Sequence, residues 1–399
     1  MSVRDKFAFN YREEDRLVRE LKYNPYYQVI SSGAGSSVEI DSREYLNLAS
    51  NNYLGFSRNP EILARMKQTI DQYGASMCGT PVACGNVDLY AETAVAFSRF
   101  LGLEDTIIFP SCYQANAGII GTLAKPGDII LVDRSSHASL LDGIRAAKCK
   151  VRPFKHNDVD HLLRLIKRTD GYDNIFVITE SVFSTEGSIA PFDKIYRICQ
   201  EFDAIPIVDD SHGIGVIGKN GGGILEEKGI ENYEGIYTAS TGKALGLAGG
   251  IVSSVSEVIM YLKYNSASLL YSTALPPVFL SATTKALEIL SATGAELMQK
   301  LRANKAFLTS QLTELGYRTT EAEAPICSVI VGSNEKTFLM SKLLFEQSIL
   351  TTPFIFPSVA RDKGVIRMIP RVDLTQQQLE CVIEAFRKIK AERPELFEQ

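Results

Sequence analysis

The stretch IPIVDDSHGIGVIG, residues 205–218, decides the fold of this chain and the place of its chemistry. A short apolar run ends in two aspartates, of which Asp209 is the first, and His212 follows closely. A literal G-x-G-x-x-G then begins at Gly213. The pattern has two interpretations. It is either a glycine loop for a dinucleotide pyrophosphate, or a strand end whose acid and imidazole do the chemistry while the glycines bend the chain.

Similar short β-rich runs recur on both sides of this stretch, between about residues 100 and 255. They are TIIFP (106–110), DIILVD (128–133), NIFVITE (174–180), IPIVDD (205–210), EGIYTAS (234–240) and GGIVSS (249–254). Helical patterns lie between them, such as HLLRLIKR (161–168) and FDKIYRICQEF (192–202). This alternation predicts an α/β fold with a mainly parallel sheet covered on both faces. Ligands of such sheets bind at the carboxyl ends of the strands, so residues just after each run are the candidate site.

The rest of the chain predicts a second, smaller α/β domain. A long helical stretch from about residue 291 leads to ICSVIVGS and EKTFLMSKLLFEQ, and GVIRMIP precedes a last helix. The N-terminus predicts a helix and a short hairpin around SSVEIDSREYLNL. We therefore expect an N-terminal segment (1–50), a large domain (51–290) and a small C-terminal domain (291–399).

Composition excludes several classes of function. The 399 residues carry a net charge of −5 without a basic block, which argues against nucleic acid or an anionic membrane as partner. No apolar run has the length of a membrane span, and the N-terminus is too charged for a signal peptide. The seven cysteines are scattered and lack metal-ligand spacing. We expect reduced thiols, no metal site and a cytoplasmic location.

The dinucleotide interpretation fits the sequence poorly. Its glycines should open the first βα unit and be followed about 20 residues later by an acid at a strand end. Here they lie in mid-chain, and the loop-like KNGGGILEEKGIENYEG follows them. Pyridoxal phosphate (PLP) is the alternative, because its pyridine nitrogen needs a carboxylate and its aldehyde a lysine. Asp209 suits the first task and Lys243, in YTASTGKALGLAGG (237–250), the second.

Two further strand ends offer cofactor contacts. FPSCYQANAG (109–118) places Ser111, Cys112 and Tyr113 between a strand and a helix, whose N-terminal amides can bind phosphate. DRSSHASLLDG (133–143) places His137 where an imidazole can stack on a flat ring or cap a helix. The other two histidines, at 156 and 161, are expected to be polar surface residues.

Five ordered motifs identify the chain as similar to the α-oxoamine synthases, PLP-dependent acyltransferases of fold type I. They are NNYLGFSRNP (51–60), DRSSHASLLDG, TESVFSTEGSIAPF (179–192), VDDSHGIGVIGKNGGG (208–223) and TASTGKALGLAGG. The resemblance covers roughly residues 45 to 390. It implies that Lys243 forms the Schiff base with PLP, that Asp209 pairs with the ring nitrogen and that His137 stacks on the ring.

The resemblance also implies contacts around these catalytic residues. The implied cofactor contacts are His212 at the phenolic oxygen, Ser184 as a further cofactor-side residue beside the stacking His137, the backbone of Cys112 and Tyr113 and the hydroxyl of Ser240 at the phosphate, and Thr273 at the phosphate of a neighbouring subunit. The last contact implies an obligate homodimer with its active site at the subunit interface. Asn51 and Arg367 match groups that bind the amino-acid carboxylate, a task that suits the guanidinium fork.

The implied reaction is the decarboxylative condensation of an amino acid with an acyl thioester, carried by coenzyme A or acyl carrier protein, to give an α-aminoketone. GSNEKTFLMSKLL (332–344) and the stretch through FIFPSVARDKGVIRM most resemble bacterial serine palmitoyltransferases, which implies L-serine and a long-chain acyl-CoA. Pro81 and Tyr90 stand where many members have arginine and histidine. Alternatives are an amino-ketone autoinducer synthase, 8-amino-7-oxononanoate synthase, glycine C-acetyltransferase and a cysteate acyltransferase. A PLP aminotransferase is the alternative of another class.

Overall fold

The structure, a computed structural model, describes residues 2–7 and 13–396. Its α-helices are α1 (Val3–Phe7), α2 (Glu13–Leu21), α3 (Pro60–Tyr73), α4 (Asp88–Leu101), α5 (Cys112–Leu123), α6 (Ala138–Ala147), α7 (Val159–Ile166), α8 (Phe192–Glu201), α9 (Ile224–Lys228), α10 (Ser256–Asn265), α11 (Ala267–Leu270), α12 (Pro277–Glu314), α13 (Asn334–Glu346) and α14 (Gln376–Glu392). Its strands are β1 (Ser37–Ile40), β2 (Arg43–Asn47), β3 (Asp105–Phe109), β4 (Ile129–Asp133), β5 (Lys150–Phe154), β6 (Ile175–Glu180), β7 (Ile205–Asp209), β8 (Ile236–Ser240), β9 (Gly250–Ser254), β10 (Cys327–Gly332), β11 (Ile349–Leu350), β12 (Thr352–Phe354) and β13 (Gly364–Met368).

The chain divides into two compact units. The large unit comprises Asn51–Arg302 and Glu323–Pro325. The small unit comprises Met1–Ser50, Ala303–Ala322 and Ile326–Gln399. The long helix α12 contributes residues to both units.

The large unit is built on a seven-stranded sheet in the order β3-β9-β8-β7-β6-β4-β5. Strand β9 is antiparallel to both of its neighbours, and the remaining pairs of strands in this sheet are parallel. Central strands such as β4 are buried along their whole length, as expected when helices cover both faces. The register aligns Glu180 with Asp209 and Asp209 with Thr238, so three polar residues meet at one edge of the sheet.

Strand β5 is absent from the strands predicted above. Its sequence, KVRPF, contains two cations and a proline, which weaken the apolar pattern of a strand. As the last strand in the sheet order it pairs only with β4, with Pro153 opposite Val132. An edge strand tolerates this composition because only one of its sides enters the hydrogen-bond ladder.

The small unit contains two three-stranded sheets, β10-β13-β12 and β1-β2-β11. Its largest apolar cluster joins α12, α13 and α14 to the strands through residues such as Leu308, Met340 and Phe386. Arg371 is fully buried there, paired with Asp373 at 2.6 Å and hydrogen-bonded to the carbonyls of Ala34 and Gly35. A buried guanidinium needs such partners, because leaving it unpaired would cost several kcal/mol.

These observations confirm the predicted fold class, an α/β chain with a large, mainly parallel sheet. All seven cysteines are free. None of the helices within the described residues is long and apolar enough to cross a membrane.

Candidate active site

Asp209 is the last residue of the central strand β7, and its carboxylate is buried. Asn116 Nδ2 donates to Oδ2 at 2.6 Å and the Ser211 amide donates to Oδ1 at 3.0 Å. Asn116 is itself held by Thr238, whose hydroxyl donates to its amide oxygen at 2.8 Å. These two bonds orient the carboxylate, since one donor approaches each of its oxygens.

Lys243 lies in the loop after β8, and its charge acts on the same groups as that of Asp209. Both charges affect the pKa of His137. Burial is the largest influence and lowers this pKa, the Asp209 charge opposes burial, and the Lys243 charge adds to the lowering. Both also affect Cys112, where burial and then Asp209 raise the pKa of the thiol while Lys243 lowers it. Lys243 and Asp209, both predicted from the sequence, therefore act on the same two neighbouring groups.

His137 begins helix α6 at the carboxyl end of β4. Its Nδ1 accepts a hydrogen bond from the Ser139 amide at 3.2 Å, so the ring caps the helix as well as lying in the site. Its own amide donates to Glu180 Oε1 at 2.5 Å. Burial and the Asp209 charge raise the pKa of Glu180 well above its usual value. Sequence reasoning missed Glu180, although it ends β6 just as Asp209 ends β7.

A cradle for an anion lies where the first turn of α5 meets strand β9. Ser111 caps the helix by accepting from the Gln114 amide at 3.2 Å, and the following amides, from Cys112 and Tyr113, have no acceptor within a helix. A Cβ on Gly250 would lie 2.4 Å from the nitrogen of Cys112, so only glycine permits this approach.

The loop after β8 completes the cradle with hydroxyl groups. Ser240 Oγ accepts from the Gly242 amide at 3.1 Å, which orders the turn before Lys243. The buried Oγ1 of Thr241 has no hydrogen-bond partner among the described residues. A buried hydroxyl without a partner is costly, so this one calls for a ligand atom.

His212 is buried, and its Nδ1 is hydrogen-bonded to the phenol oxygen Oη of Tyr53 at 3.0 Å. The glycines that follow bend the chain. A Cβ on Gly213 would lie 1.7 Å from Asp210 Oδ1, and Gly215 has a φ of 70°. The glycine motif therefore makes a turn packed on protein groups, as the second interpretation of the sequence predicts.

The remaining predicted residues lie in different surroundings. Ser184 is half-buried in the turn after β6. Thr273 is exposed in the loop before α12, and Tyr113 is about half exposed with its phenol on Asp142. Asn51, in the large unit, has a buried Oδ1 with no partner among the described residues. Arg367 lies in β13 of the small unit, with its guanidinium 4.8 Å from the ring centroid of Phe354.

The expectation that His156 is a polar surface residue is wrong. Its ring is hydrogen-bonded to Asp133 and Ser188 and lies edge-on to Phe183, with centroids 4.2 Å apart. The chain position gave no sign of this, because the partners come from other strand ends. His161 is half-buried, and its Nδ1 accepts from the Lys155 amide at 3.0 Å.

Pro81 and Tyr90, two of the positions that depart from the family pattern, both belong to the large unit. They line a cavity of about 490 Å³ with a mainly apolar wall, to which Ile107 and Leu269 also contribute. The phenol of Tyr90 accepts a hydrogen bond from the Leu275 amide at 2.7 Å. Tyr90 thus has a structural partner of its own.

The donor set fits PLP. Asp209 is an oriented carboxylate for the ring nitrogen, Lys243 an amine in the same electrostatic site, and the Cys112 turn with the free hydroxyl of Thr241 a cradle for phosphate. No cluster of three His, Cys, Asp or Glu side chains in the described part of the chain could hold a metal ion.

Comparison with known proteins supports the same chemistry. A family model for aminotransferases of class I and II matches residues 43–386. The 8-amino-7-oxononanoate synthase of Symbiobacterium thermophilum is 34% identical over 386 residues, covering 95% of this chain and 98% of that protein. The serine palmitoyltransferase of Sphingomonas wittichii superposes with a TM-score of 0.93 at 26% identity, covering 98% and 99%. A structure of SPT with PLP gives 0.93 at 25% identity with the same coverage. The chain belongs to the class I and II aminotransferase family and, within it, to the α-oxoamine synthases, which are PLP-dependent acyltransferases.

Proposed function

We propose that this acyltransferase condenses a small amino acid with an acyl thioester in the manner of 8-amino-7-oxononanoate synthase. The observation that carries the proposal is the 34% identity over 95% of the chain, together with the Asp209–Lys243 site. The product named for that relative has an amine on carbon 8 beside a ketone on carbon 7, so it is an α-aminoketone. The sequence resemblance implies this class of product.

The residues of the chain have separate tasks in this reaction. PLP, when bound, supplies the carbonyl that takes the amino group and the ring that accepts electrons. Asp209 keeps a proton on the ring nitrogen, and Asn116 with the Ser211 amide holds its carboxylate in place. Lys243, once its amine is free, removes the proton from the amino acid's Cα. When PLP is bound, His137 would cover one face of its ring and the cradle at Cys112 would hold its phosphate.

Serine palmitoyltransferase-type specificity is the second candidate, favoured by the TM-score of 0.93 over 98% of the chain. The sequence relatives at 30–34% identity are 8-amino-7-oxononanoate synthases, which favours that activity over the serine and long-chain substrates expected from the motifs. The two activities differ in both substrates. In 8-amino-7-oxononanoate, the carbon that bears the amine also bears a methyl group, and the far end of the chain is a carboxylate. In the product of serine and palmitoyl-CoA, the far end of the chain is a methyl group.

We also propose that the active form is a homodimer. Thr273 is exposed in its own chain, which suits a hydroxyl that reaches a neighbouring subunit's phosphate. Light scattering measures the oligomeric state of the protein. The Thr273→Ala variant should remain a dimer by this measurement, but its Kd for PLP should be higher than that of the wild type. Seven free cysteines suit a reducing compartment, in agreement with the expected cytoplasmic location.

A substrate panel tests the proposal. The PLP absorbance of the protein is titrated with glycine, alanine, serine and cysteate, and turnover is then measured with a seven-carbon dicarboxylic thioester and with palmitoyl-CoA. Carbon dioxide release with alanine and the dicarboxylic thioester supports the proposal. Turnover with serine and palmitoyl-CoA alone would instead establish the second candidate. Conversion of PLP to its amine form by an amino acid, with release of an oxo acid, would indicate an aminotransferase and overturn both.

A further inference from the structure

A cluster around His156 joins three strand ends of the large unit. Its Nδ1 lies 3.2 Å from Oδ1 of Asp133, the last residue of β4. Its Nε2 lies 3.2 Å from both Ser188 Oγ and Glu186 Oε1, in the turn after β6. His156 itself follows β5. One imidazole thus contacts both of the segments that continue from β4 and β6.

The two segments that His156 joins carry two of the predicted site residues, His137 and Ser184. The Asp133 carboxylate is fully buried and also accepts from the Ser135 amide at 2.9 Å, at the start of the turn that leads to His137. The turn after β6 contains Ser184 and is closed by backbone bonds from Phe183 to Ser188 and from Gly187 to Phe183. The ring of His156 packs edge-on against the phenyl ring that begins this turn.

The charges facing His156 make it a cation. Burial by itself lowers the pKa of the imidazole, but the hydrogen bonds and charges of Asp133 and Glu186 outweigh burial and raise the pKa to about 9. The other groups against the ring, from Asn157, Ser188 and Phe183, are uncharged. As a cation, the ring can donate from both nitrogens, one to each side.

We propose that His156 is a positioning residue: its doubly donating ring holds the turn 183–188, and with it Ser184, against the strand end that presents His137. This proposal rests on the proposed function, because the positions of Ser184 and His137 affect the reaction only if both residues contact the cofactor. His156 does not touch the reacting atoms in this scheme. It acts on them through two carboxylates and the turn.

The test compares His156→Gln with His161→Gln in the PLP-loaded protein. His161 is the matched control because it lies on the same segment and its Nδ1 accepts from a backbone amide, while its ring meets no carboxylate in the described part of the chain. Amide hydrogen exchange is followed by mass spectrometry for residues 133–137 and 181–190. We expect His156→Gln to speed amide exchange in both segments about tenfold or more, because a charge-assisted hydrogen bond is lost. Exchange in the rest of the chain should be unchanged.

Two further measurements separate positioning from simple stabilisation. In the wild type, after correction for intrinsic rates, protection of the turn 183–188 should fall as the pH passes about 9, and His156→Gln should lack this step. With substrates that support turnover, kcat should fall about tenfold while the KM for the amino acid changes far less.

Uniformly faster exchange over the whole chain with unchanged kcat would overturn the proposal. So would an equal effect of His161→Gln, or wild-type exchange in His156→Gln. The exchange measurement needs no substrate, so a wrong assignment of the proposed function leaves it interpretable. Failure of the substrate panel and failure of this proposal are therefore distinguishable.

Discussion

Replacement of Asp210 by asparagine should stabilise the protein at neutral pH, whereas the same change at its neighbour Asp209 should inactivate it. Asp210 is fully buried, and its Oδ2 accepts from the Tyr237 phenol at 2.6 Å and from the Ile224 amide at 3.0 Å. An asparagine oxygen can accept both of these bonds. The amide of asparagine is never ionised, which removes a cost that Asp210 imposes.

That cost follows from the pKa of Asp210. Burial raises it from 3.8 to about 7, against the lowering effect of hydrogen bonds from Ser181, Tyr237 and Ile224. A raised folded pKa means that the folded protein binds the proton more tightly than the unfolded chain. The tightly held proton of Asp210 therefore stabilises the folded protein fully below pH 3.8, and this stabilisation is lost as the pH rises to 7. At about 1.4 kcal/mol per pKa unit, the loss is about 4 kcal/mol, most of it between pH 4 and 7.

The assay is thermal unfolding of wild type and Asp210→Asn at pH 5 and pH 8, at one scan rate. The advantage of the variant should grow by about 3 kcal/mol between these values, or roughly 5–10 °C in Tm for a unit of this size. Asp209→Asn is the paired variant. It should keep its fold and lose roughly 100- to 1,000-fold in kcat, because it removes a preorganised charge at the ring nitrogen.

Three outcomes would refute this reasoning. Equal pH dependence of Tm in wild type and Asp210→Asn would mean that Asp210 does not titrate in this range. Strong destabilisation of Asp210→Asn at pH 8 would mean that its charge stabilises the fold. Inactivation by Asp210→Asn with full activity in Asp209→Asn would exchange the roles of the two acids.

Three further predictions concern the site. Lys243→Ala should abolish turnover yet retain PLP noncovalently, so borohydride should no longer fix the cofactor to the chain; activity above trace would refute the role of Lys243. Arg367→Lys should weaken amino-acid binding about tenfold in a spectral titration, because one ammonium replaces a bidentate fork, and should leave the KM of the thioester unchanged. Tyr53→Phe removes the hydrogen bond to His212 and should lower kcat about fivefold, as expected for one bond of about 1 kcal/mol; an unchanged pH–rate profile and kcat would exclude this coupling.

Local sequence patterns were sufficient for much of the fold. The six predicted strands lie within one or two residues of β3, β4, β6, β7, β8 and β9, because each is a short β-branched run bounded by turn residues. The edge strand β5 could not be found this way. The sequence KVRPF has no strand-like pattern of its own and forms a strand by pairing with β4.

The candidate site was predictable as far as strand ends reveal it. Asp209, His137 and Lys243 each follow a strand in the sequence, and parallel strands bring their carboxyl ends to one edge. Glu180 follows the same rule and could have been included. Asn116 and Tyr53 could not, since a residue inside a helix or a loop gives no sign of which carboxylate or imidazole it will meet.

The sequence by itself determined the α/β class, the order of the strands along the chain and the residue types available at each strand end, because these depend on local periodicity and spacing. The tertiary structure alone decided which of those residues share an environment. The adjacent acids Asp209 and Asp210 meet different partners: the Asn116 amide and the Ser211 amide donate to Asp209, whereas the Tyr237 phenol and the Ile224 amide donate to Asp210, whose burial raises its pKa. His156 changes from an expected surface residue into a cation between two carboxylates for the same reason: its partners are distant in sequence and meet only when the sheet forms.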